Sequence, residues 1–217
     1  MPQRATKIVA TLGPASSDPA LLEAMIRAGV NVVRLNFSHG KAQDHIDRAN
    51  LVRAAAKRAG REVGIMADLQ GPKIRVGKFA EGKVMLEPGQ PFVLDASRTE
   101  PGDIAGVGLD YKELPRDVKA GDTLLLNDGL IVMTVDKVVG DAVHTTVKLG
   151  GELSNNKGIN KQGGGLTAPA LTAKDIEDIK TAMSLMADYV AVSFPKNATD
   201  MELVERTEEA AVEAAAE

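Results

Sequence analysis

The N-terminal third of the sequence alternates between predicted strands and predicted helices, and this alternation limits the folds open to the chain. Apolar, β-branched runs predict three strands, at residues 6–12, 32–35 and 63–69. Asp18 and Pro19 predict the start of a helix that ends near Gly29, and an Ala-rich pattern predicts a second helix at residues 44–59. Such alternation favours right-handed βαβ units and a parallel sheet, whose functional groups lie at the carboxyl ends of the strands.

The second predicted strand ends in an unusually polar stretch, Arg-Leu-Asn-Phe-Ser-His at residues 34–39. Strand alternation places polar Arg34, Asn36 and Ser38 on one face and apolar Val33, Leu35 and Phe37 on the other. A cation, an amide and a hydroxyl in a row suit a phosphate and a metal ion. The same residues are also compatible with a solvated strand end, and His39 with an ordinary surface histidine.

Asp68 closes the third predicted strand, and parallel strands bring their ends to one edge. A carboxylate beside an amide and a hydroxyl, with no soft ligand, suits a hard monovalent or divalent cation. Asp68 is equally compatible with a turn before Gly71 and Pro72. Lys73 and Arg75 follow at once, and we interpret Lys73 as ordinary surface charge.

From about residue 75 to residue 166 the helical periodicity disappears. Short alternating or β-branched runs replace it, separated by turn signals such as the Asn127-Asp128-Gly129 hairpin. This pattern predicts an inserted all-β barrel or sandwich. The polar loop at residues 151–161 is only a weak indication of phosphate binding.

The strand–helix pattern resumes after the Gly163-Gly164-Gly165 triplet. Thr172 predicts a helix cap, and Ile176, Ile179, Met183 and Met186 predict its buried stripe, before a fourth strand at residues 189–194. The predicted domains are 1–70 and 168–200 for the α/β part, 71–167 for the insertion, and 201–217 for an acidic helical tail.

Composition excludes several classes of protein. With no Cys among 217 residues, disulfides and Cys-ligated metal sites are excluded, which fits a cytoplasmic protein. No apolar run approaches a membrane span. The net charge of −4 is concentrated in the tail at residues 201–217, which has six Glu and one Arg. The rest of the chain is nearly neutral, so its charge does not indicate a nucleic-acid-binding surface. The tail predicts a weakly packed helix with a thin stripe of Met201, Val204, Ala211 and Ala215.

Five segments together resemble the pyruvate kinase family, most closely the bacterial enzymes. They are Lys-Ile-Val-Ala-Thr-Leu-Gly-Pro-Ala-Ser at 7–16, Asn-Val-Val-Arg-Leu-Asn-Phe-Ser-His-Gly at 31–40, Asp-Leu-Gln-Gly-Pro-Lys-Ile-Arg at 68–75, Leu-Ser-Asn-Asn-Lys-Gly-Ile-Asn at 153–160 and Tyr-Val-Ala-Val-Ser-Phe-Pro at 189–195. The resemblance runs in order to about Asp200. It implies a (β/α)₈ (TIM) barrel with a small all-β barrel domain inserted after the third strand as a mobile lid.

The resemblance also implies the reaction, phosphoryl transfer from phosphoenolpyruvate to ADP to give pyruvate and ATP, with Mg²⁺ and K⁺. By position, Arg34 binds the substrate phosphate. Asn36, Ser38, Asp68 and the carbonyl of Leu69 bind K⁺. The implied nucleotide-binding residues are Asn36, Phe37, Ser38, His39, Arg75 and Lys157. His45 and His144 are interpreted as structural.

The catalytic Lys of the family and its Mg²⁺-binding Glu and Asp have no match in this sequence. A (β/α)₈ barrel needs ~250 residues, so the part outside the insertion has room for about four βα units. We therefore expect little turnover from this chain alone. The alternative is a non-catalytic phosphate- or nucleotide-binding fragment or an engineered assembly module. The family is homotetrameric, and this chain has two open sheet edges through which copies could associate.

Overall fold

A computed structural model describes residues 5–72 and 74–216, so Lys73 lies outside the described residues. The first nine strands and α-helices in chain order are β1 (Val9–Thr11), α1 (Pro19–Ala28), β2 (Val32–Asn36), α2 (Ala42–Ala59), β3 (Gly64–Asp68), β4 (Lys83–Leu86), β5 (Pro91–Asp95), β6 (Gly106–Gly108) and α3 (Leu114–Asp117), and a short 3-10 helix, Pro14–Ser16, lies between β1 and α1. They are followed by β7 (Thr123–Leu126), β8 (Ile131–Val139), β9 (Ala142–Leu149), β10 (Gly151–Ser154), β11 (Ile159–Lys161), α4 (Ala173–Ser184), β12 (Tyr189–Ala191) and α5 (Ala198–Ala216).

The chain divides into two compact units. The first contains the residues up to Pro72 together with those from Pro169 onward, and the second contains the residues between them. Among the described residues, no helix is both long and apolar enough to cross a membrane.

The first unit is built on a parallel sheet with the strand order β1-β2-β3-β12. One face of the sheet is apolar: Val33, Leu35, Ile65 and Ala67 are fully buried in one core with residues of the surrounding helices. This arrangement follows from the alternation of strand side chains, since every second residue faces the helices. The structure therefore confirms the predicted α/β fold.

Local capping chemistry fixes the helix ends. The Asp18 carboxylate accepts a hydrogen bond from the Leu21 amide at 2.8 Å, and Pro19 occupies the first turn of α1, as predicted. Thr172 caps α4 as predicted. Helix α2 begins two residues before the predicted Asp44, because the Asp44 carboxylate accepts a hydrogen bond from the Lys41 amide and so supports an earlier first turn.

The predicted stripe of α4 is wrong in part. Ile179 is buried, whereas Ile176 is 39% exposed and Met186 is 69% exposed. The reason is that α4 ends at Ser184, so Met186 lies beyond the helix, where its φ of 51° breaks the helical phase. The buried face continues instead through Ala182 and Leu185.

Two further predictions near the C-terminus need correction. The fourth strand is short, Tyr189–Ala191, and does not reach Phe194. Helix α5 is continuous across the predicted boundary at residue 201; Val204 is buried against Leu69 and Ile179, but Met201 of the predicted stripe is 40% exposed. The side chain of Ala215, the last member of that stripe, lies outside the described residues.

The second unit consists mainly of strands. A six-stranded sheet has the order β11-β7-β8-β9-β5-β6, and β4 pairs with β10 in a separate ribbon. Asn127 and Asp128 adopt positive φ between β7 and β8, as a tight hairpin turn requires. The closure of this unit into a small barrel stays a prediction.

Candidate functional site

The register of the parallel sheet brings the predicted site residues of the first unit to one edge. Asn36 pairs with Asp68 between β2 and β3, and Arg34 pairs with Thr11 between β2 and β1. Val33, Leu35 and Phe37 are buried, whereas Arg34, Asn36 and Ser38 are only partly buried. The predicted division into a polar and an apolar face is therefore confirmed.

Arg34 is held in place by two neighbouring strands. Its Nε donates a hydrogen bond to Oδ2 of Asp68 at 2.7 Å, Nη2 forms an ion pair with the same oxygen, and Nη1 donates to Oγ1 of Thr11 at 3.0 Å. The side chains of Arg34 and Asp68 are 32% and 17% exposed. Partial burial strengthens this attraction relative to a surface pair, and the exposed remainder of the guanidinium stays accessible to an anion.

The loop that follows β2 is ordered by three hydrogen bonds. The Phe37 amide donates to the Asp68 carbonyl at 2.9 Å, the Ser38 amide to Oδ1 of Asn36 at 3.0 Å, and the His39 amide to the Asn36 carbonyl at 3.2 Å. A carbonyl oxygen has two lone pairs, so Oδ1 of Asn36 keeps one for another partner. The loop therefore places Asn36, Ser38 and His39 in one tight turn beside Asp68.

Leu69 takes part in this edge only through its backbone, because its side chain is buried. Its carbonyl oxygen accepts a hydrogen bond from Oγ of Ser193 at 2.8 Å, and its amide donates to the Ala191 carbonyl at 3.0 Å. The chain at and just after β12 thus fixes the direction of the carbonyl oxygen for which the family resemblance implies K⁺ binding.

Four residues at this edge were not assigned to the site from the sequence: Thr11, His45, Lys174 and Ser193. Thr11 lies at the end of the first predicted strand, so the expectation that functional groups gather at the carboxyl ends of parallel strands could have identified it. Nζ of Lys174 donates to the Phe37 carbonyl at 2.8 Å, and Nε2 of His45 lies 3.0 Å from the His39 carbonyl. These contacts join residues from different elements, and no local sequence pattern signals them.

The two remaining predicted residues, Arg75 and Lys157, lie in the second unit. They come together there through the backbone: the Val76 amide donates to the Lys157 carbonyl at 2.9 Å, and Arg75 pairs with Gly158. The Arg75 carbonyl accepts a hydrogen bond from the Asp110 amide at 2.9 Å. Their role in nucleotide binding stays a prediction.

The candidate cation ligands at the sheet edge have the chemistry of ligands for a hard cation. Asn36, Ser38, Asp68 and the Leu69 carbonyl offer only oxygen atoms, and one oxygen of Asp68 is already shared with Arg34. Among the described residues, no group of three or more His, Asp or Glu side chains could hold a metal ion. The binding of K⁺ by these oxygens stays a prediction.

Comparison with known proteins identifies the family. Residues 3–215 match the family model for the barrel domain of pyruvate kinase. The chain belongs to the pyruvate kinase family. This match continues 15 residues beyond Asp200, where the motifs apparent in the sequence ended, and so includes most of the acidic helix α5.

Curated pyruvate kinases agree with this assignment. The chain is 55% identical over 204 residues to pyruvate kinase II of Salmonella typhimurium and 54% identical over 199 residues to the pyruvate kinase of Haemophilus influenzae. It is 46% identical over 201 residues to the pyruvate kinase of Mycobacterium tuberculosis. These alignments cover 94%, 91% and 93% of the chain, but the chain spans only 42% of the length of each of these relatives.

Proposed function

We propose that this chain supplies the phosphoenolpyruvate- and K⁺-binding edge of a pyruvate kinase, an enzyme that transfers the phosphoryl group of phosphoenolpyruvate to ADP. The observation that carries the proposal is the placement of Arg34. Its guanidinium is held by Asp68 and Thr11 at the carboxyl end of a parallel sheet and remains partly exposed. Membership of the pyruvate kinase family supplies the reaction.

The chemistry of each group supports its proposed role. A guanidinium binds two oxygens of one phosphate at once, so Arg34 can orient the substrate phosphate. Phosphoryl transfer depends on positioning and on neutralising the charge spread over phosphate oxygens. K⁺ bound to Asn36, Ser38, Asp68 and the Leu69 carbonyl would add positive charge beside the same phosphate. Mg²⁺ would neutralise phosphate charge in the same way, but we assign it no ligand in this chain.

The nucleotide-binding residues proposed from the family motifs are Asn36, Phe37, Ser38 and His39, together with Arg75 and Lys157. We also propose that the first unit corresponds to four βα units of a (β/α)₈ barrel and the second to the inserted all-β lid. A cytoplasmic location is part of the same proposal.

Calorimetry with phosphoenolpyruvate tests the proposed role of Arg34. Loss of a charge-assisted hydrogen bond costs about 1.5–3 kcal/mol, so Arg34→Ala should weaken binding about 10- to 150-fold. The matched control is Arg27→Ala, because Arg27 forms an exposed i,i+4 pair with Glu23 on α1. Equal affinity of wild-type protein and Arg34→Ala for phosphoenolpyruvate would contradict the proposal.

A second candidate function is phosphate or nucleotide binding without turnover. One observation supports it: the guanidinium of Arg34 is held by Asp68 and Thr11 and stays partly exposed, which suits a phosphate whether or not the phosphoryl group is then transferred. A coupled assay of pyruvate release with ADP, phosphoenolpyruvate, Mg²⁺ and K⁺ separates the two functions. Binding by calorimetry with no release supports the second, whereas release that is lost in Arg34→Ala supports the first.

Self-association belongs to the same set of proposals. Strands β1 and β12 form the two ends of the parallel sheet, and Val9 and Tyr189 on them are 52% and 54% exposed. Unpaired strand edges favour pairing with another chain. Light scattering measures the mass directly, and a monomer at working concentration would exclude this association.

A further inference from the structure

The loop that carries Ser38, one of the proposed K⁺ ligands, is neither helix nor strand. Residues 37–40, here called the site loop, follow β2 directly and precede α2. Gly40 in this loop has a φ of 82°, and a Cβ there would lie 3.5 Å from Nε2 of His45. The loop therefore turns closely over His45, with a backbone conformation that other residues adopt only under strain.

His45 contacts the site loop in two ways. Its ring stacks on Phe37 with the ring centroids 4.1 Å apart and the planes 10° from parallel. Its Nε2 lies 3.0 Å from the His39 carbonyl oxygen, and because a carbonyl only accepts, Nε2 must carry the hydrogen. With a side chain only 2% exposed, His45 lies beneath the loop rather than beside a ligand.

The other ring nitrogen explains why a single form of His45 is favoured. Nδ1 is buried and has no hydrogen-bond partner. A hydrogen on Nδ1 alone would set the lone pair of Nε2 against the His39 carbonyl oxygen, and a hydrogen on both nitrogens would make the ring a buried cation with an unpaired donor. The neutral Nε2–H tautomer is therefore the form that fits. Burial lowers the pKa of His45, which also favours the neutral ring.

Lys174 holds the same loop from a different helix. Its Nζ donates to the Phe37 carbonyl at 2.8 Å and forms an ion pair with Asp178 on α4. The site loop is thus tied at two successive points, at the Phe37 carbonyl by Lys174 and at the His39 carbonyl by His45. Ser38, whose side chain is one of the proposed K⁺ ligands, lies between these two points.

We propose that His45 is a positioning residue for the site: its ring and Nε2–H fix the site loop and thereby set the positions of Asn36 and Ser38 for K⁺. The K⁺ part rests on the proposed function, whereas the loop part rests on the contacts alone. Because it is buried beneath the loop, His45 is proposed to act through the loop and not by contact with substrate or cation.

Two substitutions separate the hydrogen bond from the packing. His45→Phe keeps an aromatic ring on Phe37 but removes the donor to the His39 carbonyl. His45→Gln removes the ring but carries an amide N–H near the position of Nε2. The matched control is His144→Phe in β9 of the second unit.

The first measurement is nuclear magnetic resonance of the whole chain without ligand. The ¹⁵N spectrum of the imidazole should show the neutral Nε2–H tautomer of His45 at pH 7.5. In His45→Phe the amide resonances of Ser38, His39 and Gly40 should move and their hydrogen exchange should accelerate about three- to tenfold, with partial return in His45→Gln. A charged or Nδ1–H ring, or an unchanged loop in a folded His45→Phe, would overturn the proposal.

The second measurement is a titration with KCl against choline chloride at constant ionic strength, followed through the same amides. His45→Phe should need about three- to tenfold more K⁺ than wild-type protein or His144→Phe. Equal K⁺ affinity in a folded His45→Phe would overturn the proposed effect on K⁺. If wild-type protein shows no response to K⁺, the proposed K⁺ site fails, and the ligand-free spectra alone decide whether His45 positions the loop.

Discussion

Both units bury alternate residues of their main strands, but they differ in what covers the buried face and in what the other face presents. In the first unit one face of the parallel sheet is buried under helices, while the other presents Arg34, Asn36 and Asp68, all partly exposed. In the second unit the strands bury alternate residues in a dense apolar core that includes Phe92, Leu124 and Met133. The first unit therefore places its candidate site on the face of the sheet opposite the helix-covered one.

The largest expected effect tests the core of the second unit. Phe92 is fully buried in β5, and its replacement in Phe92→Ala should lower the free energy of unfolding by about 3–5 kcal/mol, since a cavity adds to the lost burial. Urea denaturation measures this loss. Hydrogen exchange should place it in the strands of the second unit and leave α1 protected.

The control for that substitution is Leu130→Ala, because Leu130 lies in the same unit but is 66% exposed. It should change the free energy of unfolding by less than about 0.5 kcal/mol. If Phe92→Ala accelerated hydrogen exchange equally in α1 and in β5, the two units would unfold together. Their difference in structure would then not correspond to a difference in stability.

The next effect concerns a buried carboxylate of the first unit. Asp175 is fully buried and accepts hydrogen bonds from the Gly71 amide at 2.9 Å, the Thr172 amide at 2.8 Å and the Thr172 hydroxyl at 2.6 Å. It therefore joins the chain after β3 to the start of α4. Asp175→Ala leaves those donors unpaired and should cost about 2–3 kcal/mol of unfolding free energy, measured by urea denaturation.

Glu177→Ala is the matched control for Asp175→Ala, because Glu177 lies on the same helix in an exposed pair with Lys180. Exposed pairs contribute about 0–1 kcal/mol, so this variant should stay close to wild type. A similar loss in both variants would mean that the polar contacts of the first unit are no more important inside than at the surface.

Sequence patterns predicted those parts of the structure that depend on neighbours along the chain. Strand alternation separated Arg34 and Asn36 from Val33 and Leu35, and the cap at Asp18 followed from its position before Pro19. In these cases a few adjacent residues contain the physical cause. The prediction that Asp68 and the polar residues at the end of the second strand share one edge is also confirmed, because Asn36 and Asp68 end neighbouring parallel strands.

Contacts between distant residues could not be predicted in the same way. Ser193 reaches the Leu69 carbonyl and Lys174 reaches the Phe37 carbonyl, each across more than 100 residues of sequence. Such contacts depend on sheet order and on where a helix lies, and neither is encoded in a local pattern. The error at Met186 has a related cause, since the helical period was extended past the point where α4 ends.

The smallest expected effect is a pH dependence that belongs to the first unit. Burial lowers the pKa of His45 below its ordinary value of 6.5, so the unfolded chain binds a proton at this residue more readily than the folded chain. Stability from His45 is complete above pH 6.5 and is lost as the pH falls below it, until the folded pKa is reached. Urea denaturation between pH 7.5 and pH 5 should show a loss of at most about 1.4 kcal/mol per pH unit, the slope for one proton.

His45→Phe isolates this contribution, because Asp44, Arg48 and Asp178, the charged neighbours of His45, are present in both proteins. The difference between wild-type protein and His45→Phe should be flat above pH 6.5 and should shift in favour of the variant below it. A difference that stays constant down to pH 5 would show that His45 takes up a proton as easily in the folded chain as in the unfolded one. The fold would then not hold the ring beneath the site loop in its neutral form. The contrast between the apolar core of the second unit and the first unit, whose core includes this ring under the site, would weaken.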